Sequence, residues 1–158
     1  MKLARGLAAA LCLALPLGAG AANTFSLAIG ATVLSKSNCK FTSAAGSVLA
    51  FGNIDPSSGS NATASVTLTI NCAGSAATAA YSITSNNGLY GVGPGAPRLR
   101  HAVTTTAFMA YTLNTPLSGT TPKNTATPVT ITGTITPANF QNALGGAYAD
   151  TVVLTLSP

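Results

Sequence analysis

Apolar side chains recur at every second position in one short segment after another, and the positions between them are filled mostly by threonine and serine. In ATASVTLTINC, Val66, Leu68, Ile70 and Cys72 fall on one face and Thr67, Thr69 and Asn71 on the other. A repeat of two is the period of a pleated strand with one buried side, and β-branched hydroxyl residues suit the half-exposed side. The same pattern aligns Tyr81 with Ile83 in YSIT, and Met109 with Tyr111 and Leu113 in AFMAYTL. It aligns Val129, Ile131 and Ile135 in PVTITGTIT, where Gly133 marks a bulge or a close backbone approach, and Val152, Leu154 and Leu156 near the end. VLAFG at 48–52 and NTFSLAIGATV at 23–33 complete the set; in the latter Phe25, Leu27, Ile29, Ala31 and Val33 alternate.

Turn-forming residues separate these runs: DPSSG at 55–59, NNG at 86–88, the glycine- and proline-rich GLYGVGPGAP, and the polar connection SGTTPKNTATP. PANFQNALGG closes one helical turn at most, because Pro137 suits a first turn and Gly145-Gly146 stops anything longer. Seven strand candidates at short spacing, with no sustained helical period, predict an all-β fold: a single antiparallel β-sandwich of immunoglobulin-like character.

The first residues are expected to be a signal peptide. Lys2 and Arg5 precede the apolar LAAALCLALPL, and Ala19-Gly20-Ala21 supplies the small residues before cleavage at Ala22, so 1–21 is removed and Cys12 leaves with it. The apolar run falls short of the about 20 residues that span a bilayer. From Ala22 onward the chain has the length of one domain. Its two cysteines, Cys39 and Cys72, form an even pair in an exported chain, which predicts one structural disulfide.

Ionisable residues are scarce. Beyond residue 21 the cations are Lys36, Lys40, Arg98, Arg100 and Lys123, against Asp55 and Asp150, with one histidine and no glutamate or tryptophan. Nucleic-acid binding needs clustered cations with stacking aromatics, and only Arg98 and Arg100 are close in sequence. General acid–base catalysis is equally ill supplied. His101 in RLRH is expected to be a solvated loop residue, Asp55 belongs to a turn before proline, and Asp150 opens the last strand. No G-x-S-x-G elbow is present, GLYGVGPGAP lacks the Gly-Lys-Ser/Thr ending of a phosphate cradle, and one histidine with two distant aspartates makes no metal site. The chain is therefore expected to be no enzyme and to need no cofactor. Function is expected in the strands and their edges.

Several phrases occur together and in order: the alternating stretch ending at Cys39, LAFGNIDP, VTLTINC with Cys72, Arg98 ahead of MAYTLN, and GGAYADTVVLTL. Taken together they resemble the spore coat protein U family, which includes the major pilins of archaic chaperone-usher pili. Two departures are the lack of a tryptophan-glycine phrase after MAYTLN and an ending in Leu156-Ser157-Pro158 where relatives carry an aromatic residue.

The resemblance implies an incomplete immunoglobulin-like sandwich, residues 38–158, and an N-terminal donor-strand arm, residues 22–37. A periplasmic chaperone would first supply the missing strand, and an outer-membrane usher would exchange it for the arm of a neighbouring pilin subunit. The arm's plugs would be Phe25, Leu27, Ile29, Ala31 and Val33, whose alternation suits insertion along an open edge. The implied function is a cell-surface fimbrial subunit serving adhesion and biofilm formation. The alternative is a self-contained secreted β-sandwich, a coat or binding protein, in which the opening stretch pairs within its own domain.

Overall fold

In a computed structural model of the chain, residues 27–31, 37–44 and 46–158 are described. They belong to two units, 1–32 and 33–158. In the first unit Leu27–Ala31 lies outside any strand or helix with all five residues exposed, Leu27 at 73% and Ile29 at 88%. Phe25 and Val33 lie outside the described residues.

The second unit is built of antiparallel strands. β1 (Ser37–Phe41) pairs with β2 (Ala62–Gly74), and β2 pairs in turn with β8 (Thr127–Ile135), which carries the short β6 (Thr112–Leu113) on its far side. The long β2–β8 ladder runs from Ala62↔Ile135 to Ile70↔Thr127. Its outer face is laced by hydroxyl pairs, Ser65 with Thr132 at 3.2 Å and Thr67 with Thr130 at 3.4 Å. Cys39 and Cys72 stand opposite each other in the β1–β2 register and are joined by a disulfide, S–S 2.01 Å. A second sheet has β3 (Thr78–Ser85) between β10 (Leu154–Ser157) and β7 (Leu117–Pro122). A third has β4 (Arg98–His101) between β5 (Phe108–Ala110) and β9 (Tyr148–Ala149).

The inward residues of the first two sheets form one core: Leu68 and Ile70 of β2, Ile83 of β3, and Val129 and Ile131 of β8. A second cluster gathers Met109, Tyr111, Ile135 and Phe140, the last on the single helical turn α1 (Pro137–Phe140). The order β1-β2-β8-β6 facing β10-β3 reproduces the A-B-E-D and F-C arrangement of an immunoglobulin-type sandwich. In that plan strand G pairs with the free side of F. Here the free side of β10 has no partner strand among the described residues.

The sequence pattern mapped well onto β2, β8 and β10, and less well elsewhere. AFMAYTL is two strands, β5 and β6, in different sheets: the Tyr111 N–H still donates to Pro97 O at 3.2 Å beside β4, whereas Thr112–Leu113 pairs with β8. LSGTTP within the expected polar connection is β7, with Thr121 buried. RLRH is strand β4, and His101 is a buried residue, 6% exposed, instead of a solvated one. Asp55 occupies its expected turn, where the Ser57 hydroxyl and then the Ser57 N–H hold its carboxyl below the usual value.

Candidate functional site: a groove beside an unpaired segment

The segment Val48–Ile54 lies against β8 of the first sheet without joining it. Val48 and Ala50 are exposed while Leu49 and Phe51 are half-buried, the alternation of a strand, yet the segment joins no ladder. Among the described residues its backbone makes no hydrogen bond. It is held by side chains: Leu49 packs on the first core cluster, and Phe51 and Ile54 on the second. Phe51 meets the Tyr111 ring edge-on, with centroids 6.4 Å apart. Gly133 of β8 makes room for this contact, since a Cβ there would lie 2.8 Å from Phe51 Cζ and 3.0 Å from Leu49 Cδ2. Gly52, at φ +69°, then lets the chain turn towards Ile54.

Facing this segment is the stretch Gly145–Asp150. Between the two lies a groove of about 720 Å³, whose floor includes Leu99, Met109, Ile135 and Phe140. Leu49, Leu154 and Leu156 all pack around the first core cluster, and Phe51, Ile54, Tyr148 and Val152 around the second.

His101 and Asp150 build the second wall. His101 Nδ1 accepts the N–H groups of Thr104 at 2.8 Å and Val103 at 3.2 Å. Its proton therefore sits on Nε2, which donates to Gly145 O at 3.2 Å, and its ring meets Tyr148 edge-on at 4.9 Å. Asp150 accepts from Tyr111 Oη at 2.8 Å and from the N–H groups of Leu89 and Thr151 at 2.9 and 2.8 Å. Burial first, and then the bond to Asp150, push the Tyr111 hydroxyl well above the usual tyrosine range. Both titratable groups are thus engaged in holding backbone. Among the described residues no three potential metal ligands come together.

The groove combines an apolar floor with a wall, Val48–Ile54, whose backbone makes no hydrogen bond among the described residues. Both walls lie largely within phrases that carry the family resemblance, LAFGNIDP and GGAYADTVVLTL, but nothing in their sequence marked them as the two sides of a groove. LAFGNIDP reads as one more strand, and only its lack of a partner makes it a wall. Of the alternating N-terminal residues, Leu27, Ile29 and Ala31 are described, and all three are exposed.

The Spore Coat Protein U domain model matches residues 23–155 of the chain. None of the curated proteins matches it. Among solved structures, similarity extends to a chain described as part of a chaperone-tip adhesin complex vital for synergistic activation of CFA/I fimbriae biogenesis. The likeness is 14% in identity, covers 77% of this chain and 41% of that one, and has a TM-score of 0.47. This chain therefore spans less than half the length of that one.

Proposed function

Because the chain belongs to the Spore Coat Protein U domain family, we propose that it is a fimbrial subunit that polymerises by donor-strand exchange through the chaperone-usher route. The observation that carries this reading is the groove between Val48–Ile54 and Gly145–Asp150, with an apolar floor of Leu99, Met109, Ile135 and Phe140, in a domain whose β10 edge has no partner strand among the described residues. The occupant is the arm of a second copy, expected over 22–37 but ending before Ser37, which belongs to β1, with Phe25, Leu27, Ile29, Ala31 and Val33 directed into the groove. From Phe25 to Val33 a strand covers about 26 Å, enough to follow the Val48–Ile54 wall from end to end.

Energetically, each large arm side chain contributes about 1.5–3 kcal/mol on burial. Ordering the arm costs about 1–2 kcal/mol per residue, and main-chain hydrogen bonds along the groove offset much of that. A preformed groove keeps the remaining cost low, because only the arm has to be ordered. Each subunit offers an arm at one place and a groove at another, a head-to-tail contact that propagates into an open filament. Before assembly, the same groove is where a periplasmic chaperone would lend a strand, and an outer-membrane usher would direct the exchange. The assembled fibre is exported to the cell surface, where it serves adhesion and biofilm formation.

Deleting Thr24 to Val33 tests this. The shortened subunit is expected to be exported and folded yet unable to polymerise, and fibres assembled from it would sink the proposal. A stable, protease-resistant monomer formed by the chain from Ala22 with no chaperone present would favour the self-contained sandwich.

A further inference from the structure

The alternation of β4 sends Leu99 to the groove floor and places Arg98 and Arg100 on the opposite face, both half-buried. There the two guanidinium groups are interlaced with two rings. Arg98 Cζ lies 4.2 Å from the centroid of Phe108, and Arg100 Cζ lies 4.2 Å from that of Tyr90. The rings themselves are 6.3 Å apart, and Arg98 Nε donates to Tyr90 O at 2.9 Å. Stacking on an aromatic face holds a guanidinium plane while leaving its N–H edges free. The Arg100 guanidinium makes no hydrogen bond within the described residues, and neither carboxylate offers it a partner. Asp55 is bound to Ser57, and Asp150 to Tyr111, Leu89 and Thr151.

We propose that this outer face of the β4 sheet binds a polysaccharide bearing carboxylate or sulfate groups, with Arg98 and Arg100 each gripping one anion. Two planar forks fixed by stacking are preorganised for oxyanions. At i and i+2 on one strand their Cα atoms stand about 7 Å apart on the same face, which suits successive charges on an extended chain better than one small anion. A nucleic acid is disfavoured because the rings that would stack bases are covered by the guanidinium groups. A second copy of this chain is disfavoured because both its carboxylates are engaged internally. The face lies across β4 from the groove, so an arm seated in the groove leaves it open. In a fibre it would recur once per subunit, turning weak single contacts into avidity.

The test measures binding of the chain from Ala22, as purified and whatever its state of assembly, to immobilised heparin and polygalacturonate at low salt, with neutral dextran as control. This readout does not depend on fibre formation, so its failure is distinct from failure of the donor-strand reading. Retention is expected on at least one of the two anionic polymers and not on dextran. Arg100→Gln is expected to weaken it about three- to tenfold with an unchanged thermal transition. Arg100→Lys, which keeps the charge and loses the fork, is also expected to weaken it. If Lys123→Gln, outside this sheet, weakened binding as much as Arg100→Gln, net charge alone would be responsible and the proposal would fail. No retention on either polymer, or tighter binding to single-stranded DNA or to phosphatidylglycerol vesicles, would overturn it as well.

Discussion

Gly133 of β8 lies directly beneath Phe51, so that a methyl group on its Cα would stand 2.8 Å from the end of the Phe51 ring. The missing side chain lets a segment with no ladder hydrogen bonds lie against the sheet and serve as a groove wall.

Gly133→Ala should therefore displace Phe51 and Leu49. Because that segment is held by side chains alone and can yield outward, the expected loss is about 1 kcal/mol, the low end of overpacking costs. Gly133→Leu should cost about 3 kcal/mol or more. Urea unfolding of both variants measures this. Equal stability of Gly133→Leu and the parent would show that Phe51 does not need the space.

The Cys39–Cys72 disulfide closes a loop with a sequence separation of 33. Replacing both cysteines by alanine should lower stability by about 3–4 kcal/mol in the chain-entropy model. The comparison is between denaturant midpoints of the oxidised parent and the double variant. A difference under about 1 kcal/mol would mean that the β1–β2 ladder is sufficient by itself.

Tyr111 carries a raised hydroxyl pKa, so the folded state keeps its proton after the unfolded chain, with its ordinary value of 10.0, has lost it. The associated stability is present below pH 10 and falls away as pH rises above it. Phenolate absorbance should show one tyrosine ionising last, and Tyr111→Phe should abolish that late step. The same substitution removes a hydrogen bond to a carboxylate and should cost about 1.5–3 kcal/mol at neutral pH. If the late step persisted in Tyr111→Phe, the assignment would be wrong.

Within the arm, Ile29→Asp should impair assembly far more than Ser26→Asp. The first places a charge at a position proposed to be buried, and the second stays on the face turned outward. Electron microscopy of surface fibres distinguishes them. Equal fibre yield from both would contradict an alternating insertion.

Much of the sandwich was legible because period-two alternation survives wherever one face is buried, as in β2, where Val66, Leu68, Ile70 and Cys72 all turn inward. It failed where the buried residue is itself polar. In RLRH the inward positions are Leu99 and His101, and a histidine whose ring nitrogens are satisfied by backbone groups looks the same in sequence as a solvated one. In LSGTTP the buried residue is Thr121, which hid β7. The groove was illegible for a different reason. Leu49 and Phe51 carry the alternation of a strand, but whether a strand has a neighbour depends on residues distant in sequence, here Gly133 and the course of Gly145–Asp150.

The central claim is most directly tested by adding a synthetic peptide of residues 22–37 to the chain lacking Thr24 to Val33 and following amide hydrogen exchange. The account predicts new protection confined to Val48–Ile54 and to the run from Ala147 to Ser157, and none with a peptide of the same composition in scrambled order. Protection elsewhere, or equal protection by the scrambled peptide, would contradict it.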